Sequence, residues 1–219
     1  RPLTFNTPKC LIKINGTPLL GIWIEQLMFN NFQPILVNTH YLSEKVEKFI
    51  ENNKYKNFVK TKNEKKLLGT AGTLLNNVDF IGNDDVCLIH ADNYCLTDLS
   101  KFREAHQNRP KKCLMTMMIF NTKNPSSCGI VKLDNDNVVT NFYEKDDKFN
   151  GNLANAAIYI ISNEMINEIM NNYSNVTDFS TQIIPKFLDK IFAYKINETL
   201  TDIGTLENYE SITKKSNIK

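Results

Sequence analysis

Apolar and polar residues alternate along this chain in two rhythms, and the change from one to the other sets the expected architecture. Leu19–Phe29, LLGIWIEQLMF, is apolar at helical spacing and predicts a mostly buried helix with Trp23 in the core, entered at Pro18, where helices favour proline. Pro34–Asn38 predicts a strand, Ser43–Asn52 an amphipathic helix capped by Ser43, and Phe58–Thr61 another strand. Ahead of them, Arg1–Lys9 reads as an ordered loop and Leu11–Ile14 as a short strand, followed by an Asn15-Gly16 turn. A small-residue turn at 69–72 then leads into a short apolar helix, and Val86–His90 reads as a buried strand inside the sheet, away from its edge. Leu99–His106 predicts a helix and Cys113–Phe120 a strand buried on both faces, its methionines serving as core filler. Alternating strands and helices point to parallel βαβ units.

From Gly129 the rhythm changes. Gly129–Leu133, a tight turn at Asp134–Asn137, Val138–Glu144 and Ala154–Ile161 read as strands, with no helix between the first two. Antiparallel strands of this kind extend a parallel sheet. Ser162–Asn171 and Phe179–Leu188 return to helical period, and Ile191–Ile196 closes with a strand before the acidic turn that begins at Thr201. The expectation is one α/β domain over residues 1–219, a three-layer Rossmann-like fold. Its mainly parallel mixed sheet carries an antiparallel extension over about residues 129–161.

Composition narrows the functional classes. A hydrophobic share of 42% and a charged share of 23% are ordinary for a globular chain, and no apolar run reaches the ~18 residues of a membrane span. The net charge of +2, with both signs interleaved, argues against a nucleic-acid surface. Cys10, Cys87, Cys95, Cys113 and Cys128 are odd in number and contain no C-x-x-C, a reduced, cytoplasmic pattern. His40, His90 and His106 have no ligand-type spacing, and a packed strand-end position is the expected one for His90.

The chemistry concentrates in Leu67–Asn93, LLGTAGTLLNNVDFIGNDDVCLIHADN. Gly69-Thr70-Ala71-Gly72 carries almost no side chains, so a flat ligand could lie against its backbone with the N–H groups of a helix N-terminus behind it. An ordinary helix entry would look the same. Asp92 follows a buried strand, where open α/β sheets place their ligands, although an Asp-Asn pair also serves as a turn or N-cap. Together the two elements suggest a nucleotide with a metal.

These residues, taken in order with four other motifs, resemble the sugar-1-phosphate nucleotidyltransferases, the family of the glucose-1-phosphate thymidylyltransferases and mannose-1-phosphate guanylyltransferases. The motifs are RPLT…TPK at Arg1–Lys9, LLGTAGTL at Leu67–Leu74, ADN at Ala91–Asn93, EK at Glu144-Lys145, NLANAAIYI at Asn152–Ile160 and DIGT at Asp202–Thr205. The resemblance implies attack of a sugar 1-phosphate on the α-phosphorus of a nucleoside triphosphate, with pyrophosphate released. It implies Asp92 and Asp202 as ligands of Mg²⁺, Lys9 on the nucleotide phosphates and Lys145 on the sugar phosphate. Arg1, Glu64, Gly69, Thr70 and Asn93 fall to the nucleotide; Glu144 and Asn155 fall to the sugar. Each has a plainer alternative: a turn or N-cap for Asp202, a solvated charge for either lysine.

The family pattern also places a central strand and a G-x-G-T-R-L loop before R-P-L-T, which implies that this sequence begins inside the domain. Three other readings share parts of the pattern. A metal-dependent glycosyltransferase normally presents D-x-D, which Ala91-Asp92-Asn93-Tyr94 is not. A cytidylyltransferase for a phosphorylated alcohol such as phosphocholine shares RPLT…TPK and ADN, and a catalytically inactive regulatory subunit would keep the fold. The whole motif string most resembles the guanylyltransferases, which favours a mannose-like or heptose 1-phosphate with a guanine nucleotide. The expected partners are these two small molecules, with neither nucleic acid nor membrane, in a chain compatible with a homo-oligomer.

Overall fold

The computed structural model describes residues 4–145, 151–198, 200–204 and 206–216. In chain order these form β1 (Lys13–Ile14), β2 (Thr17–Pro18), α1 (Leu19–Phe29), β3 (Ile35–Thr39), α2 (Ser43–Glu51), β4 (Val59–Asn63), α3 (Gly69–Leu75) and α4 (Val78–Ile81). There follow β5 (Val86–Ile89), β6 (Asn93–Tyr94), α5 (Leu99–Gln107), β7 (Met115–Asn121), β8 (Gly129–Leu133), β9 (Val139–Glu144) and β10 (Leu153–Ile161). The last are α6 (Asn163–Asn172), β11 (Ile191–Lys195), β12 (Thr201–Asp202) and α7 (Leu206–Ser216). They fall into two compact units, the first holding residues 1–67, 90–99 and 199–219, the second 68–89 and 100–198.

In the first unit β3 and β4 pair in parallel, and Leu20 and Ile24 of α1 pack with Val46 and Ile50 of α2 over Ile35 and Val59. The β1–β2 hairpin turns at Asn15-Gly16, both in the left-handed region that such a turn requires. Helix α2 is not capped by Ser43. Ser43 is its first residue, Leu42 ahead of it is left-handed at φ 51°, and no side chain caps the end. A two-residue ladder between β6 and β12 pairs Asn93 with Asp202 and Tyr94 with Thr201. It joins stretches more than a hundred residues apart.

The second unit is built on a six-stranded mixed sheet in the order β11-β7-β10-β8-β9, with β5 also on β10. The mixed sheet and its antiparallel extension are as expected, but the balance of pairings differs. Among the described residues of this sheet only β7–β11 is parallel; β10 runs antiparallel to β5, β7 and β8, and β8 to β9. Strands β5, β7 and β11 do point the same way, because β10 inserts between β5 and β7 in the opposite sense. The expectation of β5 as a buried inner strand is not met. Its residues are all half-buried, and β10 is its one strand neighbour among the described residues.

Strand β7 is buried from Met115 to Phe120, whereas β9 is buried only at Val139 and partly open from Thr140 to Glu144, the usual difference between a strand covered on both faces and one at an antiparallel edge. Strand β10 is bulged between Asn155 and Tyr159, with Ala157 left-handed at φ 55°. The stretch expected as a helix over 179–188 is instead a π-turn at Phe179–Ile183 and a 3₁₀ turn at Ile184–Lys186. Pro185 lacks the N–H that a continuing α-helix needs.

Candidate functional site

One group of candidate residues belongs to the first unit. Lys9 opens a 3₁₀ turn after Pro8. Its ammonium donates to Asp92 Oδ2 at 2.8 Å and also to Asp202 Oδ1. Two carboxylates from distant parts of the chain thus share one cation. The β6–β12 ladder sets this geometry by placing Asp202 opposite Asn93, beside Asp92. Trp23, 2% exposed, holds the same turn by donating from Nε1 to Asn93 O at 2.8 Å, a contact the sequence did not announce. Asp202 Oδ1 also accepts the Gly204 N–H at 2.8 Å, so its turn role and its charge pairing coexist.

The side chains of Lys9, Asp92 and Asp202 are 25%, 47% and 60% exposed, and ion pairs this exposed are worth about 0–1 kcal/mol each. Stability alone therefore gives weak reason for the cluster. Burial lowers the Lys9 pKa, but the two carboxylates outweigh it and hold the amine above its ordinary range. Glu64 is buried and its Oε1 accepts from Asn38 Nδ2 at 2.9 Å, a bond that ties its carboxylate to the β3–β4 pair. Arg1 and Thr205 lie outside the described residues.

A separate group of candidate residues belongs to the second unit and is shaped mainly by backbone. Gly69 begins α3 with φ 77°, and an added Cβ there would collide with Thr177 O. That oxygen accepts the Ala71 N–H at 2.9 Å, and Thr70 Oγ1 accepts the Phe179 N–H at 2.8 Å. The N-terminus of α3, expected to present unpaired N–H groups to a ligand, is thus capped at Ala71 by the chain's own 177–179 segment. A cap-type Asp178 ahead of an apolar stretch was the available signal: its Oδ1 accepts from Thr181 N at 2.7 Å.

Glu144 ends β9 opposite Gly129. A Cβ at Gly129 would approach Glu144 Oε2 to 2.7 Å and Phe142 Cζ to 2.5 Å, so the missing side chain makes room for both. Burial raises the Glu144 pKa, the Lys145 charge lowers it, and Asp178 raises it further. Lys145 is left-handed at φ 50°, and its Nζ stands 3.9 Å from Glu144 Oε1 with a side chain 65% exposed. Asn155 is turned inward: Nδ2 donates to Tyr159 Oη at 2.7 Å and Oδ1 accepts the Ala157 N–H at 2.9 Å. Its amide therefore holds the bulge of β10.

The α/β architecture is shared with solved structures. The crystal structure of HddC from Yersinia pseudotuberculosis complexed with GMP-PN superposes with a TM-score of 0.79 at 24% identity, over 96% of this chain and 90% of that one. A putative glucose-1-phosphate thymidylyltransferase from Bacillus anthracis gives 0.84 at 18% identity, over 98% and 89%. In sequence, the Nucleotidyl transferase family model matches residues 1–217, and the chain belongs to that family. A putative mannose-1-phosphate guanyltransferase of Sulfolobus acidocaldarius is 29% identical over 217 residues, 97% of this chain and 58% of its own length. The mannose-1-phosphate guanylyltransferase catalytic subunit beta of Drosophila melanogaster is 25% identical over 95% of this chain and 57% of its own length. The chain thus spans less than two thirds of these relatives. Among the described residues no helix is long and apolar enough to cross a membrane.

Proposed function

We propose that this chain transfers a nucleoside monophosphate from a nucleoside triphosphate to a sugar 1-phosphate, releasing pyrophosphate and leaving a nucleotide sugar. The observation that carries the reading is the convergence of Asp92 and Asp202 on one ammonium, in a chain of this family. A phosphate oxygen of the sugar 1-phosphate attacks the α-phosphorus, and the bond from that phosphorus to the bridging oxygen of pyrophosphate breaks. Both reactants are anions, so positioning and positive charge carry most of the catalysis.

Asp92 and Asp202 fit Mg²⁺. They are hard, partly exposed oxygen donors already gathered on a cation, and this ion usually takes one or two carboxylates and keeps several waters. When bound, the ion would neutralise charge on the triphosphate. Lys9 contributes a mobile charge for the same phosphates, Lys145 one for the sugar phosphate, and Glu144 accepts from sugar hydroxyls. Arg1, Glu64, Gly69, Thr70 and Asn93 remain assigned to the nucleotide on the resemblance alone.

For substrate, the names of the relatives favour a mannose-like 1-phosphate with a guanine nucleotide. The test supplies the nucleoside triphosphates one at a time with a panel of sugar 1-phosphates, phosphocholine included, and measures pyrophosphate release. GTP with mannose 1-phosphate is expected to give the strongest signal, and the signal should vanish on chelation of Mg²⁺. Silence across the whole panel would overturn the reading, and turnover of phosphocholine with CTP alone would replace it.

A further inference from the structure

The loop that leads to Lys9 is held by two side chains from the entry to α2, all within the first unit. Tyr41 Oη donates to Phe5 O at 2.8 Å, with Thr4 O 3.4 Å away, and Lys45 Nζ donates to Asn6 O. Two successive carbonyls are thus drawn to one side. The turn ahead of the helix puts the two donors in place. Leu42 between them is left-handed at φ 51°, an unfavourable conformation for a residue with a Cβ, and no side chain caps α2 in compensation. His40 ties the same turn to the residue after β4, donating from Nδ1 to Glu64 O at 2.6 Å.

Stability gives little reason for this clip. Tyr41 is 57% exposed and Lys45 is exposed, and hydrogen bonds open to water replace bonds to water at small net gain. The clip sets direction instead. The peptide bonds from Thr4 to Pro8 are trans, and in a trans peptide the N–H points opposite to the C=O it adjoins. With Phe5 O and Asn6 O drawn toward α2, the N–H groups of Asn6 and Thr7 face away from it, and neither bonds to a described residue. Two successive N–H groups on one side make a concavity that suits an anion. Downstream, the Pro8 ring fixes φ at −54°, and the 3₁₀ turn that Lys9 opens is closed by Leu11 N–H on Pro8 O at 2.9 Å. Only Thr7 separates Asn6 from Pro8, so the position set by the clip carries through to Lys9.

We propose that Tyr41 and Lys45 are positioning residues for triphosphate binding, turning the 5–7 backbone so that the Asn6 and Thr7 N–H groups meet the phosphates that Lys9 also contacts. The proposal rests on the nucleotidyl-transfer reading above and adds to it two side chains that lie in none of the motifs. Neither of them touches substrate.

Calorimetry first finds which nucleoside triphosphate the purified wild-type protein binds with Mg²⁺, and steady-state kinetics follow with that triphosphate and the preferred sugar 1-phosphate. Tyr41→Phe and Lys45→Met should each weaken triphosphate binding about 3-fold and together about 10-fold, the worth of one and of two modest hydrogen bonds. The KM for the sugar phosphate and the melting temperature should stay as in wild type. Lys45→Arg keeps a charged donor and should recover most of the loss. Lys48→Met removes another exposed charge of α2 and should change neither affinity. Inorganic tripolyphosphate, which has the phosphates without the base, should lose potency as a competitor by the same factor as the triphosphate in the double variant. Equal losses for triphosphate and sugar phosphate, a loss for triphosphate that tripolyphosphate does not share, or a lowered melting temperature that accounts for the loss would overturn the proposal. If wild type binds no triphosphate, the function proposed above fails and this inference with it. Triphosphate affinity equal in wild type and the double variant removes the positioning role alone.

Discussion

The two units hold their candidate site residues by opposite means. The first gathers three charges, Lys9, Asp92 and Asp202, on exposed turns, using a two-residue ladder to set the spacing. The second relies on missing side chains and capped backbone: Gly69 against Thr177, Gly129 against Glu144, and Asn155 folded onto its own bulge. Charge in a solvated turn can be altered with little effect on folding, because the neighbours are water and other flexible side chains. A backbone contact at a left-handed glycine has no such slack. Sensitivity should therefore divide, with chemistry failing first in one unit and stability in the other.

The largest effect should come from Asp92→Asn, which keeps the shape and removes a charge. Turnover is expected to fall roughly 10³-fold or more, with the melting temperature within a few degrees of wild type. A large loss of stability instead would erase the contrast. Gly69→Ala is the reciprocal case. A Cβ at φ 77° facing Thr177 O combines a left-handed strain with a steric clash, together roughly 3 kcal/mol of destabilisation by chemical denaturation. Full retention of stability would show that the 177–179 segment gives way freely.

A pH titration sharpens the comparison further. His106 is buried in the second unit, with Nδ1 2.8 Å from Thr116 Oγ1 and Nε2 3.1 Å from Asp85 Oδ2. Burial, with the Arg109 charge, depresses its pKa to about 4, against a smaller upward pull from Asp85. The unfolded chain takes up the proton near pH 6.5 and the folded one only near 4, so this contribution is complete above pH 6.5. It is lost as pH falls through that window, up to about 3 kcal/mol in all. Denaturant melts at pH 7 and 4.5 should show the loss, and His106→Gln should flatten it.

Lys145→Ala tests the charged exception within the second unit. The KM for the sugar phosphate should rise roughly 10-fold while triphosphate affinity stays put. A collapse of nucleotide affinity instead would exchange the roles of Lys145 and Lys9. The smallest effect is expected at Ala157, whose φ of 55° costs an alanine more than a glycine. Ala157→Gly should raise stability by up to about 1 kcal/mol, read from the denaturation midpoint. No gain would mean that the bulge holds Ala157 without strain.

Elements with a strong period were legible in the sequence. The α1 helix lies where its apolar spacing placed it, and β8 has the expected bounds. The helical period over 179–188 misled, because period records which side is buried and says nothing of the hydrogen-bond step, which a π-turn and Pro185 altered. In the site, the order of motifs named Asp92, Asp202 and Lys9 as one group, and their meeting is a tertiary fact. The bond from Trp23 to the Asn93 carbonyl went unnoticed, since a buried tryptophan carries no signal until its partner is known.

Motif order and apolar rhythm alone carried the family and the switch from alternating to antiparallel strands near Gly129. Those are properties of order and spacing along a chain. Only the tertiary structure decided that one lysine spans both aspartates, that β10 runs antiparallel between β5 and β7, and that the N-terminus of α3 is spent on Thr177. Each of these is a pairing across tens to hundreds of residues. Such pairings depend on which donor meets which acceptor once water is excluded, and local pattern does not encode that choice.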